Sequence, residues 1–82
     1  MNSKAHTIYV AIILYSVISR ATGKRVYWAG VRYLGARVRL LVHTTRVHHN
    51  EWEGLREALR WAEEQNARVW KFSRVHISPD AL

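Results

Sequence analysis

The sequence predicts an α+β domain, an antiparallel three- to four-stranded sheet with one helix packed on one face, in the order β-β-β-α-β. Three observations carry that expectation. Residues 8–18 form a β-branched and aromatic run with polar residues on either side. Residues 37–46 alternate apolar and basic with the period of a strand. Residues 52–62 repeat apolar side chains at helical spacing behind a capping signal.

The first strand is apolar at both parities. Ile8, Val10, Ile12, Leu14 and Ile18 occupy one face, and Tyr9, Ala11, Ile13, Tyr15 and Val17 the other. Such a strand belongs in the middle of a sheet, with packing on each side. Arg20 to Lys24 supply a polar turn around Gly23. A second strand is expected from Arg25 to Leu34, with Gly30 marking a place for a bulge. Gly35-Ala36 then turns the chain into a third strand, Arg37 to Arg46. Its even residues Val38, Leu40, Val42 and Thr44 are expected on the core side, and Arg37, Arg39 and His43 on the open side.

The helix is expected from Asn50 to Gln65. Asn50 is a favoured N-cap, Glu53 follows at capping-box distance, and Glu51 and Glu53 suit the positive end of the helix dipole. Trp52, Leu55, Ala58, Leu59 and Ala62 form the stripe that should lie on the sheet. Gly54 costs about 1 kcal/mol against Ala inside a helix, which suggests close packing there. Asn66 suits a left-handed stop. A last strand runs from about Arg68 to Ile77, ahead of Pro79.

The 82 residues make one domain, 1–82, without repeat or linker. A chain this short buries only about 60% of its unfolded surface, and it holds no cysteine for a disulfide or thiolate metal site. Yet 49% of it is apolar, with four Trp and four Tyr, so a homodimer closing over the helix-free sheet face is expected. The run at 8–18 is too short to span a bilayer, which takes about 20 apolar residues, and no small-residue cleavage site follows it. The expected setting is soluble and cytoplasmic.

Charge is the strongest functional signal. Residues 1–50 hold eight Lys and Arg and no carboxylate, whereas all six acidic residues follow position 50. A field of single sign favours a polyanionic partner.

The opening strand Tyr9 to Val17, the segment Val38-Arg-Leu-Leu-Val42, the helix Leu55 to Ala62 and the closing Val69-Trp-Lys-Phe-Ser-Arg-Val75 together resemble a small bacterial domain-of-unknown-function family. A similar Val-x-Trp-x-Phe strand closes that family, whereas here the order is Val69-Trp-Lys-Phe72. The resemblance implies an α+β fold and no activity. It departs in charge, because those relatives are acidic around the second strand and the helix start, where this chain has Arg and His.

No catalytic constellation is legible. Ser16, Ser19, Ser73 and Ser78 sit in no nucleophile elbow, five of the six acids share one helix, and no glycine-rich phosphate loop occurs. His43, His48, His49 and His76 could gather near one sheet end but follow no metal spacing. No enzyme, cofactor or metal is expected. The expected function is a small basic nucleic-acid-binding domain, with Arg37 and Arg39 as phosphate clamps and Arg20, Lys24, Arg25 and Arg46 flanking them. Tyr9 and Tyr15 would stack bases on the open face, joined by Tyr27 and Tyr33 if their parity allows. The alternative is a protein-interaction module, such as a phage or mobile-element inhibitor, docking on an acidic protein surface.

Overall fold

The computed structural model describes residues 8–35 and 40–78. It contains β1 (Ile8–Ile18), β2 (Arg25–Tyr33), β3 (His43–Thr44), α1 (Glu51–Glu64) and β4 (Ala67–His76). One four-stranded sheet has the order β3-β2-β1-β4, with α1 across one face. The α+β class and the element order are as the sequence predicts. No helix among the described residues is long and apolar enough to cross a membrane.

β1 and β2 form an antiparallel hairpin from Val10↔Tyr33 to Ile18↔Arg25. Its turn is closed by Ser19 N–H donating to the Lys24 carbonyl at 2.8 Å and Gly23 N–H donating to the Ser19 carbonyl at 2.7 Å. Gly23 adopts φ 72°, a backbone region that favours glycine.

The sheet is mixed rather than wholly antiparallel, because β4 runs parallel to β1. The helix explains the difference. It starts at the end of the sheet where β1 finishes, and it carries the chain back to where β1 began. Asn66, at φ 56°, then turns the chain so that Ala67 lies beside Ile8, and β4 is laid down in the direction of β1.

The third strand is far shorter than the ten residues expected. Only His43 and Thr44 pair regularly with β2. Around them the contact is irregular: Val42 N–H donates to the Val31 carbonyl and Thr45 N–H to the Ala29 carbonyl. The Ala29 N–H in turn donates to the Thr45 hydroxyl at 2.9 Å, where a regular strand would offer a carbonyl. Period-2 phase does not survive these breaks. His43 falls opposite core residue Val31 and stacks on Trp61 of the helix, so it lies on the helix side, contrary to expectation. Leu40 and Val42, expected in the core, are exposed.

Helix α1 is capped as predicted by Asn50, whose side chain accepts from Trp52 N–H at 2.8 Å. Glu53 does not complete a capping box, because its carboxylate turns to His48 Nδ1 at 3.4 Å. The face that meets the sheet is built from Gly54, Ala58 and Ala62, seated on Val10, Ile12, Leu14, Ala29 and Val31. Leu55 and Trp61 pack half-buried at its margins. Trp52 and Leu59, expected inside, are 61% and 44% exposed. Small residues let the helix sit low on the sheet, and the larger side chains are displaced to its flanks.

A Cβ built on Gly54 would meet Leu14 Cδ1 at 3.6 Å and the Trp28 Cα at 3.7 Å, which is ordinary contact. Gly54→Ala is therefore expected to stabilise the fold by up to about 1 kcal/mol through helix propensity. Gly54→Leu should instead lift the helix and cost about 1–3 kcal/mol. Asn50→Ala should cost about 1 kcal/mol through the lost cap. Urea unfolding of the three variants measures all of these.

Candidate nucleic-acid interface

The helix-free face of the sheet gathers aromatic and basic side chains from three strands. Directly opposed residues share a face, so Tyr9, Ala11, Ile13 and Tyr15 of β1 are joined there by Trp28, Gly30 and Arg32 of β2 and by Arg68, Lys71, Ser73 and Val75 of β4. Arg32, Ala11 and Lys71 stand in one row across the sheet, which places the Cα atoms of the two basic residues about 10 Å apart. Arg68 lies opposite Tyr9.

Two aromatic pairs flank that row. Tyr15 stacks on Trp28 with centroids 5.3 Å apart and planes at 16°. Toward the other end of the sheet, Tyr9 meets Trp70 edge to face at 5.4 Å. A register shift in β4, between the partners of Val10 and Ala11, leaves Trp70 without a partner of its own in β1 and brings its ring to Tyr9. Trp70 is 70% exposed. Tyr9, Trp70, Leu34 and Gly35 line a shallow recess of about 440 Å³. The middle of the face is partly self-covered: a Cβ built on Gly30 would lie 2.9 Å from the Leu41 methyls and 3.1 Å from the Tyr15 ring, so Leu41 lies over Gly30 beside Tyr15.

Electrostatics separate the two sides. All glutamates among the described residues lie on α1, across the sheet from this face. The aromatic rings and the Arg32–Lys71 row thus share a surface without a carboxylate among the described residues.

The residues named from sequence are dispersed over the fold. Tyr9 and Tyr15 are on the open face, as expected. Tyr27 and Tyr33 are not: β2 register sets them opposite Ser16 and Val10, and Tyr27 packs against the helix-side core. Arg37 and Arg39 lie outside the described residues. Arg20 and Lys24 belong to the β1–β2 turn, at the end of the sheet. Arg25 is on the helix side, where its guanidinium contacts His76 and the Ser16 hydroxyl. Arg46 is tied to the helix through Glu57, at 3.4 Å from its Nε. Trp28, Trp70, Arg32, Arg68 and Lys71 were not singled out by sequence reasoning. A count through the hairpin turn sets Trp28 opposite Tyr15, and that signal was available. Trp70 had none, because the register shift that re-aims it leaves no mark in the alternation.

The histidines do not gather. His43 stacks on Trp61 at 4.9 Å, with its Nε2 buried and without a hydrogen-bond partner among the described residues. His76 contacts Arg25. His48 is held between Glu53 and Glu57, with Nε2 2.9 Å from the Glu57 carboxylate. Among the described residues, no group of three or more His, Asp or Glu is placed to hold a metal ion.

Glu57 joins the irregular 45–48 segment to α1. Its carboxylate accepts from His48, from the Arg46 main-chain N–H at 3.1 Å and from the Arg46 guanidinium. Burial pushes its pKa up, but these bonds outweigh that effect and hold it below the ordinary 4.5. A carboxyl more acidic in the folded than in the unfolded state stabilises the fold above the unfolded value. That contribution is lost as pH falls through the lowered folded value. Glu57→Gln is thus expected to reduce stability at neutral pH and to flatten its decline below about pH 4.5, as read by urea unfolding across that range.

No protein-family model, curated protein or solved structure matches the chain.

Proposed function

We propose that this chain is a non-enzymatic nucleic-acid-binding domain that takes a single strand across the helix-free face of its sheet. One observation carries the reading: two aromatic pairs flank a row of cations on a face whose described residues include no carboxylate. An open sheet with exposed rings suits unpaired bases, which stack on any π-face, while guanidinium and ammonium groups hold the phosphates. Trp70 and Tyr9 are the stacking platform and Arg32, Arg68 and Lys71 the phosphate contacts. Arg20 and Lys24, at the sheet end, extend the basic track. Tyr15 is a support, because its ring is already engaged by Trp28 and Leu41.

Fluorescence anisotropy with labelled single strands tests this. Three phosphate contacts give log K a slope of about −2 against log salt, and replacing Arg32 and Lys71 by Gln should flatten it by about 1.4. Trp70→Ala should weaken binding by about 1–3 kcal/mol while leaving the slope unchanged. Absence of binding tighter than about 10 μM at about 50 mM salt would overturn the proposal and favour an acidic protein partner.

A further inference from the structure

We infer that a second copy of this chain docks along the outer edge of β4, in antiparallel register about Ser73, to build one continuous sheet. β4 is the edge strand, and after Ala67 every one of its residues is exposed. A long open edge offers its main-chain groups as a template for another strand. Apolar side chains accompany it: Val69 and Phe72 are exposed on the helix side and Val75 on the other face.

The helix flank above this edge is also apolar. Arg74 of β4 reaches Glu51 at 3.7 Å, which fixes the side of α1 that overlooks β4. Leu55 and Leu59 follow Glu51 at four-residue steps and therefore line the same side. They form a recess of about 220 Å³ with Trp52 and Arg56. Helix flank and edge strand together make an apolar trough that nothing in the described chain closes.

Charge and ladder length select the register in which a second copy fits. A two-fold axis perpendicular to the sheet opposes residues of the same face, so the pairing centres on one residue of the regular stretch 71–76. Centring on Lys71 or Arg74 sets like charges against each other. Centring on Phe72 or Val75 leaves only three residues of that stretch paired and centring on His76 only one, whereas centring on Ser73 pairs the five residues 71–75. Centring on Ser73 opposes Lys71 to Val75 and Phe72 to Arg74 of the second copy. Arg74 already lies over the Phe72 ring of its own chain at 5.1 Å, so the same cation–π contact recurs across the axis. The two troughs then face each other across the axis and add apolar surface to the strand pair. Both helix-free faces end on the same side, which doubles the aromatic and basic surface. The inference does not depend on what that surface binds.

The chain has no cysteine, so a single introduced thiol reports cleanly. Residues opposed on the axis lie about 4.5–5.5 Å apart at Cα, within disulfide range. Ser73→Cys is expected to cross-link into a covalent dimer under mild oxidation, far faster than Thr22→Cys in the hairpin turn. Wild-type protein should sediment as a dimer at tens of micromolar. Ser73→Lys, with its helical circular dichroism retained, should raise the dimer dissociation constant by about 100-fold or more through opposed ammonium groups. A wild-type monomer at such concentrations overturns the inference, as does equal cross-linking of the two thiols. A dimer indifferent to Ser73→Lys also overturns it, and moves the interface to the helix-free face.

Discussion

The closeness with which α1 approaches the sheet governs the rest of the molecule. Gly54, Ala58 and Ala62 put almost no side chain between the helix backbone and Val10, Ile12, Leu14, Ala29 and Val31. A low-seated helix covers little width. Its large residues are therefore sent sideways: Trp61 to one flank, onto the ring of His43, and Leu55 and Leu59 to the other, above β4. The narrow footprint also leaves β4 exposed along nearly its whole length. Seating, edge and trough are one consequence of three small side chains.

Much of the fold was legible because local signals and tertiary outcome agree. The two-faced apolar run became the inner strand β1, Gly23 formed the turn, Asn50 capped the helix and Asn66 adopted the left-handed conformation. What failed depended on phase or direction. The alternation of residues 37–46 looked like a strand, yet a strand needs a partner ladder. Here Thr45 answers the Ala29 N–H with its hydroxyl and breaks the register. The parallel course of β4 is set by the helix returning the chain across the sheet, and no local pattern in β4 records it. Of the expected stripe Trp52, Leu55, Ala58, Leu59 and Ala62, the two alanines are buried, whereas the larger members, which weigh most in any periodicity, stand at the margins. Gly54 completes the seam with them.

The candidate site was legible in kind and only partly in its residues. The sequence expects aromatics with cations on an open sheet face, and Tyr9 and Tyr15 do lie on that face. Tyr27 and Tyr33 went to the other side by strict alternation from Trp28, which the hairpin sets opposite Tyr15. Basic groups are many in the first half, but their position decides which of them reach the open face. Arg25 and Arg46 are drawn to the helix side, by His76 and Ser16 in one case and by Glu57 in the other. Arg68 and Lys71, from the half with the acids, complete the carboxylate-free face because the acids stay on the helix.

β1 owes its inner position to partners from distant parts of the chain. Its antiparallel neighbour follows after a short turn, whereas its parallel neighbour is the last strand of the fold. During synthesis this apolar segment therefore precedes α1 and β4 and keeps one edge open until they have been added. Parallel pairing across so much intervening chain is slow to form. The hairpin of β1 and β2 is the species to be protected in that interval, with Val10, Ile12 and Leu14 still unroofed by the helix. Until the helix arrives, that apolar hairpin face is open to association with other unfinished chains.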